Sequence, residues 1–149
     1  MSAFVSAGAG FLLAVLWFDL MFDVQVLGRG LHALPEQVLA SIAAYYGRVT
    51  TAARPMNRLV AAVMLATLTG IVVEIIRGVS DQWAAWSSLA LALPAIVLAA
   101  AHTVPSAVRL GARSDTSERQ SALARSICRD HLLCASAIAG VLVLQLAFA

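Results

Sequence analysis

AFVSAGAGFLLAVLWFDLMFDVQVL, residues 3–27, is the stretch whose reading decides the fold. It is longer than the roughly 20 residues that cross a hydrocarbon core at about 1.5 Å of rise each. Asp19, Asp23 and Gln25 are its strongest polar breaks, and all three fall near its end. No basic segment precedes it, it is too long for the apolar region of a signal peptide, and no small-x-small site leads into a polar sequence. It reads as a retained membrane span.

Three runs of similar character follow. They cover Leu59 to Ile76, broken by Glu74; about Trp83 to Val104, with Pro94 in the middle; and about Leu132 to Ala149. The predicted spans are about 3–27, 56–77, 83–104 and 130–149, in a single domain over residues 1–149. Composition agrees. Of the 149 residues, 61% are hydrophobic and 12% charged, and the mean hydropathy is +0.87. A soluble domain carries about 45–50% apolar and about 25% charged residues. The excess has no interior to fill in a globule of 15.6 kDa, so a lipid bilayer is its natural solvent. A net charge of +2 gives no reason to expect a nucleic-acid partner.

The ten basic residues are all arginine, and they are placed unevenly. Arg29, Arg48, Arg54 and Arg58 flank the first connection, and Arg109, Arg113, Arg119, Arg125 and Arg129 the third. Only Arg77 lies at the second, beside Glu74 and Asp81. The positive-inside rule makes the arginine-bearing loops cytoplasmic and puts both termini outside. The absence of lysine suggests a GC-rich bacterial genome, hence a plasma (inner) membrane.

The second connection is short and forces a hairpin, with Trp83 and Trp86 at the outer interface. The first connection is patterned. Pro35 and Glu36 suit a helix start, and Val38, Ile42, Tyr45, Tyr46 and Val49 recur at helical spacing. This predicts an amphipathic helix on the cytoplasmic face with its tyrosines at headgroup level. In the third connection Asp115 and Glu118 fit a capping box that opens a helix running unbroken into span four. The expected fold is therefore all-α: an integral membrane four-helix bundle with a cytoplasmic amphipathic helix between spans one and two.

Small residues recur four apart at Ser6, Gly10 and Ala14 and at Ala62, Ala66 and Gly70, where helix backbones can approach closely. Cys128 and Cys134 sit on one helix, point apart, and read as buried packing residues rather than a disulfide or a zinc site. His32 reads as a surface histidine, and Glu74 as a local partner of Arg77. There is no Gly-rich phosphate loop, Gly-x-Ser-x-Gly elbow or His-Glu-x-x-His pair.

Chemistry concentrates at the inner ends of the spans. Asp19 and Asp23, four apart, share a helix face, and acids at that depth should face the bundle or a wet cavity. The topology brings Asn57 and Arg58, His102, and Asp130 and His131 to the same level. One reading is a structural ion-pair network in which Arg58 or Arg109 meets the aspartates. The other is a site in which Asp19, Asp23, His102 and His131 bind a divalent metal or carry protons, oriented by Asn57, Arg58 and Asp130. A haem held by His102 and His131 is a weaker variant, with no attachment motif.

The layout resembles the anthrone-oxygenase-like family of small four-span membrane proteins. HTVPSAVRLG (102–111) stands where that family has a proline-bearing polar motif after span three, and ARSICRDHLLC (124–134) where it has an arginine-containing start to span four. The resemblance assigns no catalytic residue. The expected function is a small membrane protein whose Asp/His site takes a metal or a small apolar substrate, with redox chemistry in view. The alternative is a non-catalytic accessory or assembly subunit of a larger membrane complex, or a homo-oligomeric structural protein. A transporter fits less well, because paired broken helices are missing.

Overall fold

The structure, a computed structural model, describes residues 2–30, 33–52, 54–78 and 81–148. His32 lies outside them. The described α-helices are α1 (Ser2–Asp23), α2 (Glu36–Tyr46), α3 (Arg54–Arg77), α4 (Gln82–Leu98), α5 (Val104–Ala112) and α6 (Ser117–Phe148). A 3-10 turn at Val24–Val26 extends α1, and π-helical turns at Gly47–Ala52 and Ala99–Thr103 follow α2 and α4. Four helical stretches are long and apolar enough to cross a membrane: Ser2–Val26, Pro55–Arg77, Gln82–Ala112 and Ser117–Phe148. The chain is an all-α membrane helical bundle.

The long helices pack in a ring, with α1 against α6 and α3, and α4 against α6 and α3. Val5, Ala9 and Leu12 of α1, Ile71, Ala92, Ile138 and Val141 form the buried centre. A Cβ on Gly8 would overlap Thr67 Oγ1, and one on Gly70 would lie 2.9 Å from Val5 Cγ2, so α1 and α3 touch near the end away from most arginines. The small-residue stripe expected on α1 is not this contact. Gly10 has nothing within 4 Å of a Cβ position, and Ala14 is exposed. Small residues permit close approach on any face; burial of Val5 and Leu12 selects the face that is used.

A second core closes the arginine-bearing end, where Leu39, Ile42 and Tyr46 of α2 meet Leu110 of α5 and Ala124 and Ile127 of α6. The tyrosines therefore turn into the protein, Tyr45 half-buried and Tyr46 fully so. Tyr46 is only 2% exposed, because α5 and the first turns of α6 cover the apolar face of α2. Two glycines allow this seating: a Cβ on Gly111 would lie 2.6 Å from the backbone nitrogen of Gly47. Arg113 adds a surface tie to Glu36 at 2.7 and 2.9 Å.

Two smaller expectations are also corrected. The start of α6 is capped by Thr116, whose Oγ1 accepts from the Arg119 N–H at 3.4 Å, while Asp115 accepts from Arg109 at 2.9 and 3.0 Å. Glu74 makes no pair with Arg77: it is 1% exposed, and neither carboxyl oxygen has a hydrogen-bond partner among the described residues.

Candidate functional site

Asp19 and Asp23 lie one turn apart on α1 and point the same way, as helical geometry requires. The end of α2 comes over them. Its Gln25–Ser41 tie, 3.3 Å from Nε2 to Oγ, and the stacking of Phe22 on Tyr45, 4.1 Å between centroids, hold α2 against the end of α1. The adjacent tyrosines then reach one acid each. Tyr45 donates its hydroxyl to Asp19 Oδ1 at 2.7 Å, and Tyr46 donates to Asp23 Oδ1 at 2.6 Å.

His131 enters from α6. Its Nδ1 lies 2.6 Å from Asp23 Oδ2, and its Nε2 lies 3.8 Å from Asp19 Oδ2. An ionised carboxylate only accepts, so Nδ1 carries the proton of this bond. Asp23 thus accepts on both oxygens while fully buried. That satisfies the requirement that a buried charge be paired and hydrogen-bonded. Burial raises the Tyr45 phenol above its ordinary value, reinforced by Asp19; burial and then Asp23 do the same for Tyr46. Both tyrosines remain hydrogen-bond donors at any physiological pH.

Of the other predicted residues, Asn57 lines the same cavity as the cluster, while His102 and Asp130 form a second pair. His102 Nδ1 lies 2.6 Å from Asp130 Oδ2, which also accepts from Thr103 Oγ1 at 3.2 Å, while Arg129 donates to Asp130 Oδ1 at 3.3 Å. Asp130 and His131 are consecutive on α6, so they project about 100° apart and serve two different pairs. Asn57 is exposed and donates to the Thr50 carbonyl at 3.4 Å. Arg58 is exposed, and Arg109 is taken by Asp115, so neither arginine neutralises the aspartates. The side chains that hydrogen-bond the two aspartates from α2 are the tyrosines. Their signal in the sequence was an adjacent pair at the end of an amphipathic helix.

A cavity of about 340 Å³ runs from this cluster toward the middle of the bundle. Asp19, Tyr45, Tyr46 and His131 line its polar end, and Leu12, Met64, Ala99 and Ile138 are among its apolar walls. His102 is not among the residues that line it. Among the described residues no group of three or more His, Cys, Asp or Glu could hold a metal ion. The geometry gives the reason: the Nδ1 of His131 is committed to Asp23, and His102 belongs to a different pair.

Fold and site together define a small membrane bundle with a buried polar cluster at one end of an apolar cavity. The chain belongs to the SHR3 chaperone family, described as ER membrane protein SH3, whose model matches residues 1–148. No curated protein and no solved structure matches it. The family match overturns the resemblance to anthrone-oxygenase-like proteins. That likeness rested on the order of spans and two polar stretches, a layout open to many small bundles. It also overturns the assignment to a bacterial plasma membrane, since the family is one of the ER membrane. Arginine asymmetry reports orientation across a bilayer without saying which bilayer, and the lack of lysine is a matter of codons rather than physics.

Proposed function

We propose that this chain is a non-catalytic accessory protein of the ER membrane that shields transmembrane segments of other membrane proteins during their assembly. One observation carries the reading beyond the family: the 340 Å³ cavity with apolar walls and a polar end at Asp19, Tyr45, Tyr46 and His131. Helices in lipid associate through packing and interhelical hydrogen bonds rather than through the hydrophobic effect. An unassembled helix carries protruding side chains and polar groups without partners. The cavity is too small for a helix about 10 Å across. It suits one or two protruding side chains of a helix lying alongside the bundle. Asp19 would then accept from a polar or basic group on that helix.

The test is site-specific photocrosslinking during translation of a polytopic membrane protein into microsomes. A photoreactive residue at Val60 or Met64, on the cavity wall, should crosslink to the client. One at Val143, 62% exposed on α6, should reach mainly lipid. Filling the cavity with Ala99→Phe should abolish the client crosslink. Equal crosslinking from all three positions, unaffected by Ala99→Phe, would refute the reading.

A small apolar molecule in the same cavity is the second reading, favoured by a volume within the range of about 300–1,000 Å³ typical of ligand sites. It predicts a compound that co-purifies with the protein and is lost in Ala99→Phe, with no client crosslink.

A further inference from the structure

A second depression, separate from the cavity, opens at the arginine-bearing end of the bundle. It has a volume of about 490 Å³ and lies between the end of the first span and α6. Arg29, Arg125 and Arg129 line it, with Leu27 and Leu132 as apolar neighbours, and no acidic residue among the described residues contributes to its wall. The nearest acid along α6, Asp130, is 1% exposed and accepts from Arg129 itself.

The arrangement along α6 is directional. Arg125, Arg129 and Leu132 follow one another at spacings of four and three, so they form one stripe. The stripe changes from basic to apolar within a turn, and Leu132 is 42% exposed. The facing element changes in the same place. The first span ends at Val26, Leu27 is 55% exposed, and Arg29 follows two residues later. Both walls thus pass from apolar to cationic at one level of the bundle, the change expected where a span meets lipid phosphates.

The arginines are held in place by the protein. Arg29 Nε donates to the Gln25 carbonyl at 2.7 Å, Arg125 donates to the Gly30 carbonyl at 2.7 Å, and Arg129 is anchored to Asp130 and, at 3.4 Å, to Ser126 Oγ. A guanidinium carries five donors in a planar fork that matches phosphate oxygens, so the anchors of Arg29 and Arg129 fix them without exhausting them. Basic pockets between membrane helices are the usual seats of anionic lipid headgroups.

We propose that this pocket binds the phosphate of an anionic phospholipid, with Arg29 and Arg129 holding the phosphate and the acyl chains lying on Leu27 and Leu132. Arg125 fixes the loop that carries Arg29. The site is independent of the client-binding reading above.

The experiment measures lipid retention by native mass spectrometry, using the full chain in nanodiscs of mixed phosphatidylcholine and phosphatidylserine. The wild type should retain phosphatidylserine selectively. Arg29→Gln with Arg129→Gln should weaken that retention by roughly thirtyfold, the expected effect of losing two surface cations. Arg77→Gln, at the opposite end of α3, should leave it unchanged. Leu27→Glu keeps all three arginines and should also abolish it, which separates loss of the site from loss of the fold. Lys at both arginine positions should restore part of it. Inorganic phosphate at millimolar concentration should not displace the lipid. Full displacement would make free phosphate the ligand and overturn the lipid assignment. Undiminished phosphatidylserine retention in the double Gln variant would overturn the site altogether.

Discussion

Asp23 and His131, 108 positions apart in the chain, meet at 2.6 Å in the interior of the bundle. Tyr46 takes the other carboxylate oxygen, so one acid fixes the relative placement of α1, α2 and α6. Asp19, one turn earlier, repeats the pattern more loosely: Tyr45 donates to it, but His131 is 3.8 Å away. The tighter acid is fully buried, whereas the Asp19 side chain keeps 15% exposure at the edge of the cavity. Asp23 thus ties the bundle together, while Asp19 is left facing the cavity.

That division predicts unequal costs. Removing one partner of a buried charged pair strands the other and costs about 3–5 kcal/mol. Asp23→Ala should lower stability by about that much, and Asp19→Ala by roughly 1 kcal/mol, the scale of one interhelical hydrogen bond in a membrane. Thermal unfolding in mild detergent measures both. A double-mutant cycle with His131→Ala should show strong coupling to Asp23 and little to Asp19.

The chain has two tyrosines, Tyr45 and Tyr46, so a phenolate titration reads this cluster alone. Both phenols are raised by burial and by the neighbouring acids, while an unfolded tyrosine titrates near 10. A group that binds its proton more tightly when folded gives stability that is intact below the unfolded value and falls as pH rises past it. Stability should be flat in this contribution up to about pH 10 and decline beyond it. Absorbance at 295 nm should show no phenolate until the tertiary structure is lost. A phenolate signal near pH 10 in the folded protein would contradict the buried placement.

Glycine contacts give a contrast within one residue type. Gly111→Ala would put a methyl 2.6 Å from the Gly47 nitrogen, a backbone atom that cannot rotate away. The helices must separate, at a cost of about 1–3 kcal/mol typical of overpacking. Gly10→Ala meets nothing within 4 Å and should be neutral or slightly stabilising through helix propensity. Thermal unfolding of the pair decides it.

Much of the bundle is legible in the sequence because apolar length and loop charge are one-dimensional signals. The four spans and the shared face of Asp19 and Asp23 need only helical geometry. Their tyrosine partners were hidden for a definite reason. Periodicity in residues 36–49 shows that one face of α2 is buried but not what buries it, and lipid headgroups and a protein core give the same pattern. The pairing of His102 with Asp130 was hidden by adjacency. Asp130 and His131 look like one polar site in a string of letters, and only the 100° rotation between consecutive residues parts them. Arg58 and Arg109 had the right depth, but Arg58 stays exposed and Arg109 meets the closer Asp115.

Glu74 tests whether partners, rather than burial, decide what an acid does here. Like Asp23 it is almost fully buried, but neither of its oxygens has a hydrogen-bond partner among the described residues. An unpaired polar group inside a membrane bundle is a net cost, about 1–3 kcal/mol by analogy with other unsatisfied groups. Glu74→Leu should therefore raise stability by that amount, while Glu74→Gln, which keeps a polar group in the same place, should change it little. Asp23→Leu should do the opposite and destabilise, because it strands His131 and Tyr46. Unfolding measured on the three variants under identical detergent conditions gives the comparison. If Glu74→Leu proved as damaging as Asp23→Leu, the carboxyl would have to be meeting a group other than the described residues, and crosslinking from position 74 would then identify what supplies it.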